Sequence, residues 1–153
     1  MKLLLAIDNS EYSAAAIKEV ANRPWPPKTI VRVISVVESI PPSAAELWYD
    51  ASGSFERVQQ VMTKRAAELT QKTSETLKRK GFKIEAAVRE GDARSVIVDE
   101  ARKWAADLIV LGSHGYTGIK RLLLGSVASS VVSHAPCSVE IVRRKQRKKK
   151  KSR

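Results

Sequence analysis

Four glycines in one short stretch are the part of the sequence with the clearest chemical meaning. Gly112, Gly115, Gly118 and Gly125 follow a wholly apolar run, and Ser126 comes directly after the last of them. Glycine allows left-handed backbone angles and the close approach of a main chain to a ligand. A helix that starts at the end of this stretch adds unpaired N–H groups and the positive end of its dipole, which favour an anion. Ser126 would cap that helix or donate its hydroxyl to a phosphate oxygen. The stretch therefore predicts a phosphate-binding loop.

Two common phosphate motifs do not occur in the sequence. The P-loop needs Gly-x4-Gly-Lys-Ser/Thr, and the dinucleotide fingerprint needs Gly-x-Gly-x-x-Gly. The pattern that does occur is Gly-x2-Gly-x9-Gly-Ser. At the ordinary glycine frequency of about 7%, this pattern arises by accident in roughly one chain of this length in a hundred. The spacing is therefore a specific signal.

The elements around this loop alternate between apolar runs and helical patterns. We predict strands over Lys2–Asp8, Thr29–Glu38, Phe82–Arg89, Asp107–Leu111 and Ser138–Val142. Helices are expected from Asn9-Ser10 to before Pro24, from about Glu56 to Lys80, after Gly91-Asp92, and over Ser126–His134. The inward residues of the first two helices would be Ala14, Ile17, Val20 and Ala21, then Val58, Met62, Leu69 and Leu77. This alternation predicts a single-domain α/β fold: an open, mostly parallel five-stranded sheet with helices on both faces.

Ligands of such sheets bind at the carboxyl ends of the strands, near the point where the strand order reverses. The segments that follow the predicted strands there are Asp8-Asn9-Ser10, Val36–Glu38, Gly91-Asp92 and Gly112 onward. Together with the glycine-rich loop, they form the predicted ligand site.

These segments resemble the universal stress protein family. The resemblance rests on the glycine motif and on the residues at four strand ends: Leu5–Ser10, Val33–Glu38, Val88–Asp92 and Asp107–Gly115. It covers Leu3 to Arg143, so we divide the chain into a domain over 1–143 and a disordered basic tail over 144–153. The resemblance implies a Rossmann-like fold of the adenine nucleotide α-hydrolase-like type. It also implies binding of ATP, or of ADP or AMP, with or without Mg²⁺.

The resemblance further implies a role for individual residues. Asp8, with its strand neighbours Ala6 and Ile7, and Val36 would hold the adenine. The ribose and phosphate loop would comprise Leu111, Gly112, His114 and Gly115, and the main phosphate clamp Gly125, Ser126 and Val127. Ala128 departs from the pattern, since some ATP-binding relatives carry a hydroxyl residue there. Family members commonly form homodimers through the final strand, here Val139–Val142.

The charge of the chain is concentrated at its C-terminus. The net charge is +12, and nine basic residues with no acidic one lie between Arg143 and Arg153, which leaves +3 for the rest. A block of like charge is typical of a solvated, disordered segment. It can bind nucleic acid or an anionic membrane surface nonspecifically, and no aromatic residue is interleaved for base stacking.

The remaining candidates have structural as well as functional interpretations. Asp92 is interpreted as a turn or cap residue, with Mg²⁺ binding as the alternative, and His134 as a helix C-terminal residue. Trp48 and Tyr49 would cover the nucleotide or pack on the body, and Lys120 and Arg121 would reach a phosphate or remain solvated. The single cysteine, Cys137, is expected to be buried, and its lack of a disulfide partner favours the cytoplasm.

Three functions remain open at this point. The first is a nucleotide-binding stress-response regulator that acts as a dimer, because no evident catalytic set accompanies the phosphate loop. The second is a slow ATPase switch. The third is a protein tethered to nucleic acid or membrane through its basic tail.

Overall fold

Five parallel strands form one sheet in the order β3-β2-β1-β4-β5. The structure is a computed structural model, and it describes residues 1–39, 54–115 and 124–144. The strands are β1 (Lys2–Ile7), β2 (Ile30–Val37), β3 (Lys83–Glu90), β4 (Leu108–Gly112) and β5 (Ser138–Val142). The helices in the described ranges are α1 (Glu11–Asn22), α2 (Ser54–Arg79), α3 (Ala93–Trp104) and α4 (Ser126–His134). The predicted α/β architecture is confirmed. No helix within these ranges is long and apolar enough to span a bilayer.

Strand β1 lies at the centre of the sheet and divides the core into two layers. Its side chains alternate between the two faces, as a strand requires. Leu4 and Ala6 pack with residues of α3 and α4, whereas Leu3, Leu5 and Ile7 pack with residues of α1 and α2. All five side chains are buried. Because helices cover both faces of this strand, every position along it is buried, which explains its unbroken apolar run.

Two predicted inward faces differ from the structure. In α1, Ala14 is exposed, and the buried positions are Ser13, Ala16 and Val20. In α2, Val58 and Met62 are 50% and 42% exposed, whereas Leu77 is fully buried. A helix of 26 residues is about 39 Å long, and the eight-residue strands beneath it measure roughly 26 Å. The first half of α2 therefore extends beyond the sheet, although its apolar spacing continues.

The strand order reverses between β1 and β4. The connections from β1 through β2 to β3 proceed to one side of the sheet, and those through β4 to β5 proceed to the other. Because all strands are parallel, the carboxyl ends of β1 and β4 lie side by side at one edge. The crevice between them is the position where ligands of open α/β sheets bind.

Candidate functional site

A cleft of about 510 Å³, counting the part open to solvent, lies at this crevice. Predicted residues that line it are Ala6, Ile7, Asp8, Val36, Leu111, Gly112, His114, Gly115 and Val127. The other two predicted residues, Gly125 and Ser126, lie beside the cleft without lining it. The structure thus brings together residues that are more than 100 positions apart in the sequence.

Asp8 is held in place by the first turn of α1. Its Oδ1 accepts hydrogen bonds from the Ser10 backbone N–H at 3.0 Å and from the Ser13 hydroxyl at 2.8 Å. The Ser13 hydroxyl in turn accepts the Asp8 backbone N–H at 2.8 Å. Oδ2 has no partner among the described residues and lies 3.1 Å from where a Cβ on Gly115 would stand. One carboxylate oxygen is therefore fixed and the other is available to a ligand.

The N-cap of α1 is Ser10, whose Oγ accepts the backbone N–H of Ser13 at 3.1 Å. Asp8 is accordingly not the capping residue of this helix. Its position two residues earlier, at the end of β1, directs it to the cleft instead.

The glycine-rich loop returns to the sheet at Gly125. The Gly125 backbone N–H donates to the Ser113 carbonyl oxygen at 2.9 Å, and a Cβ at Gly125 would lie 3.1 Å from the His114 Cα. Glycine thus allows the close approach of two backbone segments here, because any Cβ would push them apart. Gly125 is also the N-cap of α4, with no side-chain cap. Of the two alternatives predicted for Ser126, the capping role is wrong, since Ser126 is the first helical residue; the phosphate contact stays a prediction.

The first turn of α4 presents free hydrogen-bond donors beside the cleft. The backbone N–H groups of Ser126, Val127 and Ala128 belong to the helical turn that has no intrahelical acceptors. Val127 and Ala128 line the cleft. Because no side chain of the described residues caps this end, the amides and the positive end of the dipole can receive an anion.

His114 adds a further donor or acceptor at the same place. Its Nδ1 lies 3.1 Å from the Ser113 hydroxyl, and its ring lies 4.9 Å from the Tyr12 ring. Its Nε2 is buried, and no group in the described ranges forms a hydrogen bond with it. A buried ring nitrogen without a partner costs free energy unless a ligand or water satisfies it.

Several residues of the cleft were not predicted from the sequence. Ile34, Ala93 and Ile97 form part of its apolar wall, and the polar Ser13 lines it as well. Ile34 and Ile97 have the spacing of ordinary core residues, so their pattern carried no sign of a ligand. Ser13 could have been predicted from the sequence, because a serine five residues after an aspartate at a strand end can donate a hydrogen bond to that aspartate.

Asp92 is the N-cap of α3 and is exposed. Its Oδ1 accepts the Arg94 backbone N–H and the Arg94 Nε, each at 3.0 Å. These hydrogen bonds, first of all that of the Arg94 side chain, hold the pKa of the Asp92 carboxyl below its ordinary value. The cap interpretation is confirmed.

The two remaining structural interpretations have different outcomes. His134 is the last residue of α4, and its Nδ1 lies 2.8 Å from the Ser130 carbonyl oxygen. Cys137 is only half-buried, against the expectation of full burial, and burial is the main reason that the pKa of its thiol is raised.

Some predictions lie outside the described residues. These are Gly118, Lys120 and Arg121 in the loop, Trp48 and Tyr49 before α2, and the tail after Arg144. Arg144 itself is exposed and pairs with Glu11 at the start of α1.

Comparison with known proteins gives matches along nearly the whole chain. The sequence model of the universal stress protein family matches residues 1–143. Universal stress protein MJ0531 of Methanocaldococcus jannaschii is 34% identical over 143 residues, which cover 94% of this chain and 82% of that protein. Among solved structures, hypothetical protein MJ0577 superposes with a TM-score of 0.80 at 27% identity and covers 95% of this chain and 97% of its own. A universal stress protein family protein from Arabidopsis thaliana, solved with AMP bound, shares the fold with a TM-score of 0.65. It is 19% identical and covers 95% of this chain and 92% of its own.

Proposed function

This chain belongs to the universal stress protein family, and we propose that it is a regulatory protein that binds an adenine nucleotide in the cleft between β1 and β4. The nucleotide is ATP, or ADP or AMP. The observation that carries this proposal is the junction of Gly125 with the 113–115 loop, which leaves the first turn of α4 uncapped beside an apolar cleft.

The phosphate groups would bind at this junction. The amides of Ser126, Val127 and Ala128 supply N–H donors without competing acceptors, and the helix dipole favours negative charge there. The unpartnered Nε2 of His114 adds a donor when it carries a proton. Ala128 has no hydroxyl, so its contribution is limited to the backbone amide.

The adenine and ribose would occupy the deeper part of the cleft. Val36, Ile34 and Ile97 offer apolar surface on which a purine ring packs. The free Oδ2 of Asp8 is an acceptor, and a carboxylate accepts well from an exocyclic amine or a ribose hydroxyl. It would repel a phosphate, so the polar end of the nucleotide must point toward α4. This arrangement gives the ligand one orientation.

The AMP-bound relative from Arabidopsis thaliana supports an adenine nucleotide as the ligand class. At 19% identity, that relative supports the fold and not the individual contacts. The choice among ATP, ADP and AMP therefore depends on measurement.

Magnesium would reach this cleft with the phosphates. Among the described residues, no group of three His, Cys, Asp or Glu side chains could hold a metal ion. Mg²⁺ commonly retains several waters and binds through substrate phosphates. We therefore expect ATP affinity to depend on Mg²⁺ less than it depends on the Gly125 junction.

We propose regulation rather than catalysis because neither candidate carboxylate is left to activate a nucleophile at the phosphates. The free Oδ2 of Asp8 is assigned to the adenine or ribose. Asp92 is bonded to Arg94, and Oδ1 of Asp8 is bonded to Ser10 and Ser13. Phosphoryl transfer needs a group that positions the attacking nucleophile and stabilises charge. Single-turnover kinetics with radiolabelled ATP checks this: we expect a hydrolysis rate close to the uncatalysed one, and a rate many orders of magnitude above it would favour the ATPase switch.

The decisive experiment compares binding by two variants of α4. Gly125→Val would drive its side chain into the backbone of Ser113 and His114, so we expect calorimetry to detect no ATP binding. Ser133→Val is the matched control, because Ser133 is exposed at the far end of the same helix. Circular dichroism must show both variants folded. Wild-type affinity in a folded Gly125→Val variant would overturn the proposed clamp.

A further inference from the structure

A second cleft of about 1180 Å³, again counting the part open to solvent, lies at the opposite edge of the sheet, where β2 and β3 begin. It is built by the α1–β2 connection and by the turn between α2 and β3. Its lining consists of Ala21, Arg23, Trp25, Pro26, Pro27, Lys28, Thr29, Ile30, Lys80, Gly81, Phe82 and Lys83. The length of a strand, roughly 20 Å or more, separates it from the nucleotide cleft.

The lining of this cleft carries four cations and no carboxylate in the described ranges. Arg23 is already neutralised, because it pairs with Glu140 at 2.5 Å and with Glu19 at 3.2 Å. Lys28, Lys80 and Lys83 are exposed and form no ion pair with any described residue.

The nearby helix ends do not balance these lysines. α1 and α2 both end here, and each C-terminus carries about half a negative charge. Three lysines exceed that total by about two positive charges. In addition, Lys78 and Arg79 already occupy the last turn of α2, where they stabilise its C-terminus. The cleft is therefore a concave surface with a net positive charge.

Lys28 is held in a conformation that its residue type disfavours. Its φ is +61°, in the left-handed region that favours glycine or asparagine. The turn around it is closed by the Thr29 backbone N–H and hydroxyl, which donate to the Pro26 carbonyl oxygen at 3.3 and 2.6 Å. A lysine at a position better suited to glycine is an observation that points toward use of its side chain.

Two aromatic rings line the same cleft as the cations. Trp25 and Phe82 are half-buried, so each packs on the core and also lines the cleft. The Trp25 Nε1 donates to the Val20 carbonyl oxygen at 2.9 Å, which fixes the ring. The Arg23 Cζ lies 5.0 Å from the centre of the Trp25 ring, and the Lys80 Nζ donates to the Asn22 Oδ1 at 3.5 Å. A base would stack on the open part of Phe82 or take the place of Arg23 on Trp25, and its phosphates would pair with lysines that have no carboxylate partner among the described residues.

We propose that this cleft binds a short single-stranded segment of nucleic acid. Charge alone would equally suit an acidic peptide, and the aromatic rings among the lysines favour a strand whose bases can stack. This site is distinct from the nucleotide cleft and from the basic tail, which lacks interleaved aromatic residues.

The test measures binding of a fluorescein-labelled ten-residue oligouridylate to the full chain by anisotropy over a salt series. Lys80→Gln/Lys83→Gln should bind roughly tenfold more weakly, and its log–log salt slope should be smaller by about 1.4. Lys64→Gln/Lys72→Gln, at exposed positions of α2, is the matched control for charge and should lose less. Equal losses in the two double variants would overturn the proposal.

The Lys28→Gly variant distinguishes a loss of binding from a loss of stability. Glycine relieves the left-handed backbone, so the melting temperature should stay the same or rise while the affinity for the oligonucleotide falls. Unchanged affinity in this variant would contradict the role of Lys28.

Photo-crosslinking locates the strand directly in the full chain. A 4-thiouridine oligonucleotide should give adducts on the peptides that contain Trp25 or Phe82. Adducts confined to the tail, or equally strong competition by polyglutamate, would overturn a nucleic-acid site in this cleft.

Discussion

Gly112 lies where β4 meets α1, with no room for a side chain. A Cβ there would lie 2.7 Å from both the backbone carbonyl carbon and the Cβ of Tyr12. Part of the glycine signal in the sequence is therefore a packing requirement and not a ligand contact. We expect Gly112→Ala to lower the free energy of unfolding by about 1–3 kcal/mol, as overpacking typically does. Chemical denaturation measures this.

Gly115→Ala is the variant to compare with Gly112→Ala, because both place a Cβ on a glycine of the same loop. Its Cβ would lie 3.1 Å from Oδ2 of Asp8, a side-chain atom at the open cleft. This variant should change nucleotide affinity more than stability. Equal losses of stability in the two alanine variants would contradict the separate roles of these glycines.

Asp92 should make the stability of the protein depend on pH. Its pKa is lowered in the folded state by the hydrogen bonds from Arg94, so its contribution is present above the unfolded pKa. The contribution is lost as the pH falls through the lower, folded pKa. We therefore expect Asp92→Ala to melt at a lower temperature than the wild type at pH 7, with the difference shrinking in acid. A difference that is the same at pH 7 and pH 2.5 would contradict this assignment.

At the scale of elements, α3 is fixed to the sheet by a cluster of charged groups around Glu100. Glu100 is only 8% exposed, and its Oε1 accepts Arg32 Nη1 at 2.8 Å while its Oε2 accepts Arg89 Nε at 3.1 Å. Arg32 also pairs with Glu85 and lies 4.3 Å from the centre of the Trp104 ring. The same helix carries Ala93 and Ile97 to the wall of the nucleotide cleft. The cluster therefore positions part of the site.

Glu100→Gln tests this positioning. Loss of the buried charge between two guanidinium groups should cost about 1.5–3 kcal/mol of stability in chemical denaturation. Asp99→Asn is the control, since its pair with Arg102 is more than half exposed and should contribute about 1 kcal/mol or less. Equal effects of the two substitutions would show that the buried cluster has no special role.

The sequence predicted the bounds of the helices and strands well, and it predicted less well which residues of each element pack against another element. The bounds of β1 differ from prediction by one residue at one end, and those of β2 and β4 by one residue at each end, because apolar runs between turn residues are a local signal. The local sequence does not show which half of α2 covers the sheet. Met62 and Leu77 both belong to the same apolar pattern along the helix, but only Leu77 is buried, because the strands are shorter than the helix.

The same distinction applies to the candidate site. The residues on the glycine loop and at strand ends were predicted, since each stands at the carboxyl edge of the sheet. The walls formed by Ile34 and Ile97 depend on how α3 crosses β2, which no short segment encodes. The junction of Gly125 with Ser113 likewise needs two segments separated by the loop.

For the whole molecule, the two edges of the sheet differ in charge. Edge strand β3 carries Lys83, Glu85, Arg89 and Glu90, whereas edge strand β5 is mostly apolar with one acidic residue, Glu140. Charged side chains protect an edge against pairing, and an apolar edge favours it. We therefore propose that two copies associate through β5. Light scattering coupled to gel filtration should give twice the chain mass of 16.9 kDa.

A matched pair of variants tests the edge. Ile141→Lys on β5 should shift the mass toward that of the monomer, whereas Ala86→Lys, exposed on β3, should not. Circular dichroism excludes unfolding as the cause. A dimer that survives Ile141→Lys in a folded protein and dissociates in Ala86→Lys would place the interface at the other edge.

The most direct test of an adenine nucleotide in the β1–β4 cleft is a titration of ¹⁵N-labelled protein with ATP, followed by two-dimensional NMR. The amides of Gly112, Gly115, Ser126, Val127 and Ala128 should shift first and most, with saturation at one site per chain. GTP should produce weaker shifts of the same set. Shifts that leave these amides unchanged, or that cluster instead around Trp25 and Lys80, would contradict the assignment.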